Sequence, residues 1–174
     1  MKNRIITLVV ASVLSTPALA IDGLRLGGGF NTGEIDGEAL DTGFKLEVGY
    51  DLDRVFGLYG SIGFLDKEEK GGSRKATLDV RMIDVGSDIG YVFDLQGSQI
   101  KPYAAISITS MNVEGKLICG NYTCEQDDYT KTAVNFGFGF RWWQQNLYFD
   151  GRFDSKATKN EDLDTLSFTL GYRF

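Results

Sequence analysis

From residue 22 to the C-terminus the chain alternates apolar residues with polar or small ones, and after residue 20 no apolar run is longer than residues 103–106. Successive side chains of a strand point to opposite faces, so this pattern predicts strands with one apolar face, where a helix would need a period of about 3.6. A membrane-spanning helix needs ~20 consecutive apolar residues and is excluded over this stretch. The 22 glycines come with only 2 prolines, which rules out a collagen-like or linker composition. Aromatic residues make up 13% of the chain, too many for a disordered one.

The alternation divides into segments. Leu24, Leu26, Gly28 and Phe30 oppose Arg25, Gly27, Gly29 and Asn31; Phe44, Leu46, Val48 and Tyr50 oppose Lys45, Glu47, Gly49 and Asp51. Phe56, Leu58, Gly60, Ile62 and Phe64 face away from Tyr59, Ser61 and Gly63. Leu78, Val80 and Met82 face away from Asp79 and Arg81; the phase then slips by one, to Val85, Ser87, Ile89, Tyr91 and Phe93 against Asp84, Gly86, Asp88 and Gly90. That slip predicts one long strand with a bulge near Met82 and Ile83. Segments starting at Pro102, Val134, Leu147 and Leu166 bring the total to eight, most of about ten residues. Ten tilted residues cross a bilayer, and an even number of antiparallel strands can close. The intervening connections alternate between short (residues 51–55, 94–99 and 143–146) and long (residues 32–41, 66–75, 111–130 and 155–164). The expected fold is all-β, an eight-stranded antiparallel up-and-down transmembrane β-barrel. A soluble lipocalin-like barrel would use the same alternation with its apolar face inward. Two features favour the membrane form: glycines and paired charges on the polar face, and aromatics reaching both ends of the other.

The first twenty residues stand apart. Lys2 and Arg4 precede a short apolar core, and Ala18, Leu19 and Ala20 offer a small-residue cleavage site. This order predicts a cleaved secretory signal peptide over residues 1–20 and a mature domain over residues 21–174. The full chain carries a net charge of −6, and cleavage removes two more positive charges, which argues against nucleic acid as a partner.

GSDIGYVFDL, KPYAAISITSM, AVNFGFGFRWW and the terminal TLSFTLGYRF resemble the small outer-membrane β-barrel proteins, the OmpA-type membrane domain and the OmpX/Ail group. The resemblance spans the whole mature chain. It implies a Gram-negative outer-membrane location, contact with outer-membrane lipid and lipopolysaccharide, and assembly by the barrel-insertion machinery. Phe168, Tyr172 and Phe174 match the assembly signal of the closing strand. The expected reading has no peptidoglycan-binding domain after the eighth strand, and no loop carries a diagnostic adhesin motif.

By phase, the polar face gathers Arg25, Lys45, Arg81, Arg141, Arg152 and Arg173 against Glu47, Asp79, Asp84, Asp88, Asp150 and Asp154. An eight-stranded barrel is just wide enough to be filled by side chains, so these predict an internal ion-pair network, with a thin ion path as the competing reading. Asp84 and Asp88 would lie ~13 Å apart along one strand, too far for a shared-proton pair. The chain has no histidine, which removes Ser-His-Asp and Cys-His chemistry and any His-ligated zinc or haem. Known barrel enzymes rely on histidine, so no enzyme, cofactor or metal centre is expected. Cys119 and Cys124 sit in the longest connection of an exported chain and predict a loop disulfide, with metal binding the competitor. Tyr122, Tyr129, Glu125, Asp127 and Asp128 nearby could form a recognition surface for an extracellular ligand or simply a solvated loop. The acidic sets Glu34, Asp36, Glu38, Asp41 and Glu161, Asp162, Asp164 could bind cations bridging lipopolysaccharide, though neither has EF-hand spacing. The expected role is structural or surface interaction through four long extracellular loops, with a narrow channel as the alternative.

Overall fold

Each alternating segment becomes a strand, and every long strand pairs antiparallel with its chain neighbours. The computed structural model describes residues 22–35, 37–71, 74–119, 122–157 and 162–174. The expected signal peptide, residues 1–20, lies outside them. The strands are β1 (Leu24–Ile35), β2 (Glu38–Ala39), β3 (Gly43–Asp51), β4 (Phe56–Gly71), β5 (Arg74–Gly90), β6 (Phe93–Leu95), β7 (Ser98–Cys119), β8 (Tyr122–Gln144), β9 (Leu147–Ala157) and β10 (Asp162–Arg173). β2 folds back on the end of β1, and β6 on the start of β7. The other eight form a ring that β10 closes on β1, from Arg25↔Arg173 to Ile35↔Leu163.

Closure leaves the apolar face outside. Phe30, Leu46, Leu58, Val85, Ile108, Phe136, Phe138, Leu147 and Leu170 are all exposed around the circumference, while Arg25, Lys45, Glu47, Asp88, Arg141 and Arg152 are buried. An apolar exterior around a charged interior inverts the pattern of a soluble barrel. At the short-turn end the backbone N–H groups of Phe56 and Val55 donate to Asp53 Oδ1 and hold that carboxyl below its usual pKa range. Asp94, bonded by Arg54 and Gln99, is lowered in the same way. Gly97, at φ 83°, takes the left-handed turn from β6 into β7.

Two expectations are corrected. No bulge interrupts β5: its register runs unbroken from Gly71↔Arg74 to Phe56↔Ile89 on β4 and from Arg74↔Cys119 to Gly90↔Tyr103 on β7. With the phase unbroken, Val80 and Met82 point inward beside Asp84, and Asp79 and Arg81 point outward. The inward apolar residues meet Leu40, Leu65, Met111, Val113 and Leu163 in a plug inside the barrel, with Leu78 packed against it. Apolar side chains escape water equally well in such a plug or on the outer belt, so alternation alone cannot tell these positions apart. The second correction concerns the long connections. Most of residues 66–75 and 111–130 continue as paired strand, so that β7 and β8 reach 22 and 23 residues against 9 for β3.

The plug yields a direct expectation. Leu65 is 2% exposed at its centre, so Leu65→Ala should cost about 2–5 kcal/mol, the usual range for emptying a packed leucine site. The cost would be read as a lower urea midpoint for the loss of the folded band on unheated gels.

Candidate functional site: the lumen and the protruding sheet

Between the short-turn end and the plug, the lumen is filled by charge. Arg25 lies 3.1 Å from Asp51 and 3.7 Å from both Glu47 and Asp88. Arg141 reaches Asp150 at 2.7 Å, Asp88 at 3.2 Å and Asp51 at 3.7 Å. Lys101 bonds Asp88 at 2.6 Å, and Arg173, partly exposed at the mouth, lies 3.5 Å from Asp51. One layer further in, Glu47 is met by Lys45 at 2.9 Å and Arg152 at 3.5 Å, and Arg152 bonds Asp154 at 2.8 Å. Tyr103 donates its hydroxyl to Asp150 at 2.8 Å while its ring stacks beneath Arg141, and the Tyr59 ring lies under Arg152.

Two glycines make the fit. A Cβ on Gly49 would stand 2.6 Å from the Arg25 guanidinium carbon, and one on Gly57 would stand 2.8 Å from Asp88 Oδ2. Each glycine leaves room for the charged side chain of its cross-strand neighbour, and any larger residue would displace it. In this setting a pair is worth keeping intact chiefly because an unpaired buried charge costs several kcal/mol.

The structure brings together Arg25, Lys45, Glu47, Asp88, Arg141, Asp150, Arg152, Asp154 and Arg173. Asp84 is also inside, but its partners are the neutral Ser61, Thr109 and Asn135. Asp79 and Arg81 are not in the lumen; both are exposed on the outer face of β5, because that strand lacks the expected bulge. Lys101 and Asp51 take part instead. Both could have been found from phase, since Asp51 shares a face with Glu47, and Lys101 with Tyr103.

Past the apolar belt, β4, β5, β7 and β8 continue as a sheet. The belt on β7 ends at Ile108, and its outward face then carries Asn112, Glu114 and Lys116. At about 3.3 Å per residue, residues 110–119 extend roughly 30 Å along the strand. The register places Asp66 beside Asp79, Asp79 beside Glu114 and Glu114 beside Asp128, an acidic row across the outer face. The inner face carries an open groove of about 580 Å³ over Gly115, lined by Lys67, Leu78, Leu117, Glu125 and Asp127. Tyr122 is 70% exposed at the tip, and Tyr129 is partly covered by Lys131.

Cys119 and Cys124 are joined by a disulfide at the end of this hairpin. The bond closes only its own short ring. Replacing both by Ser should leave the folded band and its urea midpoint unchanged while raising amide exchange at residues 117–124; loss of the folded band would show that the bond supports the barrel. Among the described residues no three acidic or cysteine groups converge on a metal position. Of the acidic sets, Asp36 and Glu161 lie outside the described residues.

Phe168 and Tyr172 belong to the outer belt, and the Tyr172 ring packs edge-on against Phe174 with centroids 5.0 Å apart. The Phe174 N–H donates to Leu24 O at 2.9 Å, and its carbonyl accepts from Gly23 N–H at 3.2 Å, so the last residue takes part in closing the ring.

The family model described as outer membrane protein beta-barrel domain matches residues 6–174. No curated protein matches the chain. Among solved structures, the chain resembles Ail, the attachment invasion locus protein of Yersinia pestis, in complex with the heparin analogue sucrose octasulfate. The identity is 18% over 88% of this chain and 100% of that one, with a TM-score of 0.64. The N-terminal β-barrel domain of Pseudomonas aeruginosa OprF is 16% identical over 87% and 98% of the two chains, with a TM-score of 0.50. The outer membrane enzyme PagL is 11% identical over 86% and 99%, also at 0.50. At these identities the likeness is one of fold.

Proposed function

Since the chain belongs to the outer membrane protein β-barrel domain family, we propose that it is a non-enzymatic surface-interaction barrel, working through the sheet it raises above the membrane. The belt is solvated by outer-membrane lipid and lipopolysaccharide acyl chains. The signal peptide is removed after Ala20, and the barrel-assembly machinery reads Phe168, Tyr172 and Phe174.

The observation that carries this reading is the open edge of β8. β9 flanks β8 only from Val134 to Gln144, so from residue 122 to residue 128 β8 has β7 alone beside it among the described residues. The opposite edge of the sheet is partly covered, where the Asp41 N–H donates to Asp66 O at 2.9 Å. An exposed strand edge offers backbone donors and acceptors to an incoming extended segment, with side chains choosing among candidates. The choice here is electrostatic. Glu125, Asp127 and Asp128 on the edge, together with the acidic row, suit a basic extended polypeptide better than a sulfated polyanion of the kind bound in the Ail structure.

A fold shared with PagL leaves the question of catalysis to the residues. Two inward serines are committed to structure: Ser61 donates to Asp84, and Ser167 accepts from Lys45 and donates to Arg152 O.

The test uses the barrel in lipid nanodiscs, presented to immobilised extracellular-matrix proteins and to heparin. A variant with residues 114–128 replaced by a tight turn, which keeps the plug residue Val113, should keep its heat-modifiable band, lose matrix binding and show no heparin binding in either form. Undiminished matrix binding by the trimmed barrel would refute the proposal.

A further inference from the structure

The groove over Gly115 lies next to the open edge of β8 and has a charge pattern of its own. Its floor is made by the half-buried Leu78 and Leu117 and by Gly115, where a Cβ would meet nothing within 4 Å. The register lines these residues up across the sheet. Lys67 pairs with Leu78, Leu78 with Gly115 and Gly115 with Asp127; one step toward the tip, Leu117 pairs with Glu125. Directly paired residues share a face, so Glu125 and Asp127 stand on the groove side of β8, while Gln126 and Asp128 point the other way. Among the described residues neither Glu125 nor Asp127 has a lysine or arginine within ion-pair distance, whereas Glu114 on the outer face is met by Lys116 at 3.2 Å. Two carboxylates therefore wall an open apolar groove on the side nearest the free edge.

A strand added along residues 122–128 of β8 would turn alternate side chains toward this face, two of them opposite Glu125 and Asp127. Neighbouring strands stand about 4.8 Å apart, so such a side chain must span β8 before it reaches the groove. Serine, aspartate and valine stop short. Arginine crosses, because three methylenes precede its guanidinium. The guanidinium presents a planar fork to carboxylates and is weakly hydrated, so its face tolerates contact with Leu78 and Leu117 better than a strongly hydrated ammonium does. The space over Gly115 leaves room for it. Lys67, at the far end, keeps the cation on the β8 side.

We propose that the groove over Gly115 seats an arginine side chain of the incoming strand, bonded to Glu125 and Asp127. The assignment rests on β8 being the docking edge, and it adds the rule by which that edge selects. The partner carries arginine at alternate positions, on the face of the added strand turned toward the groove. Net positive charge alone does not satisfy the rule, because side-chain length and phase both count.

The test uses the barrel in lipid nanodiscs and two capped peptides. One alternates threonine with arginine; the other is identical except that each arginine is shortened by two methylenes and keeps its guanidinium. Charge is matched and reach is not. The arginine peptide should bind roughly tenfold tighter, the low end for hydrogen bonds to a charged group. Gly115→Leu, whose side chain enters open space, should keep the folded band and bring the arginine peptide down to the affinity of the short one. Should that variant fail to fold, Glu125→Gln combined with Asp127→Asn, both on the exposed edge, should erase the same advantage. Equal affinity of the two peptides for the native barrel would overturn the proposal and leave the docking edge standing. So would an advantage that persists undiminished in either variant. Failure of both peptides to bind would overturn the docking edge together with the proposal.

Discussion

Replacing Arg141 by Met should cost the barrel about 3–5 kcal/mol, the range for breaking a buried ion pair from one side. Arg141 is fully buried and lies within 3.7 Å of Asp51, Asp88 and Asp150, while its guanidinium caps the Tyr103 ring. Methionine keeps much of the volume and removes the charge. Lys101 still serves Asp88, and Arg25 and Arg173 still serve Asp51, but Asp150 loses its only ion-pair partner among the described residues. The cost should therefore fall mainly on Asp150, and adding Asp150→Leu should recover part of it. A variant as stable as the native barrel at neutral pH would mean that water, not Arg141, satisfies these carboxylates.

The second large effect belongs to the outer face. Phe138 is 65% exposed and stands midway along the belt of β8, between Val134 and Trp142. Its ring centroid lies 5.4 Å from that of Phe153 on the neighbouring strand. Phe138→Arg should cost about 2–4 kcal/mol, the penalty for an arginine at the bilayer midplane of a barrel. Thr132→Arg lies on the same face of the same strand but beyond the belt, and should be near neutral. The comparison is made as folded fraction after dilution from urea into phospholipid vesicles. Equal folding of the two variants would place the bilayer elsewhere on the barrel.

Much of this architecture is legible in the sequence, because period two is both the cause of the fold and its visible trace. Strand number, closure, the outer belt and most of the lumen charges follow from which residues share a phase. The misplaced lumen charges have one physical source. Val80 and Met82 are apolar and inward, in a barrel whose other inward residues are mostly polar. Reading them as outward forced a bulge and carried Asp79 and Arg81 into the lumen. An interior plug is a contact between β4, β5, β7, β10 and Leu40 of the connection into β3, and nothing local on β5 announces it. The protruding sheet was hidden for another reason: beyond the membrane both faces meet water, so Asn112, Glu114, Asp127 and Asp128 show no alternation even though they are paired as strands. Lys101 and Asp51, by contrast, were readable from phase alone and sit at strand ends, where the pattern is easiest to cut short. The grouping around Asp84 was not legible, because it depends on which neutral residues face it across β4, β7 and β8.

The most direct test of the account is the current carried by the purified barrel in a planar lipid bilayer. A lumen filled by the Arg25, Arg141 and Arg152 ion pairs and closed by the Leu65, Val80 and Met111 plug should give no sustained conductance above that of the bare bilayer, leaving the raised sheet as the working surface. Stable ohmic steps from the native protein, recurring at one conductance and dependent on its insertion, would contradict it and make the lumen a channel.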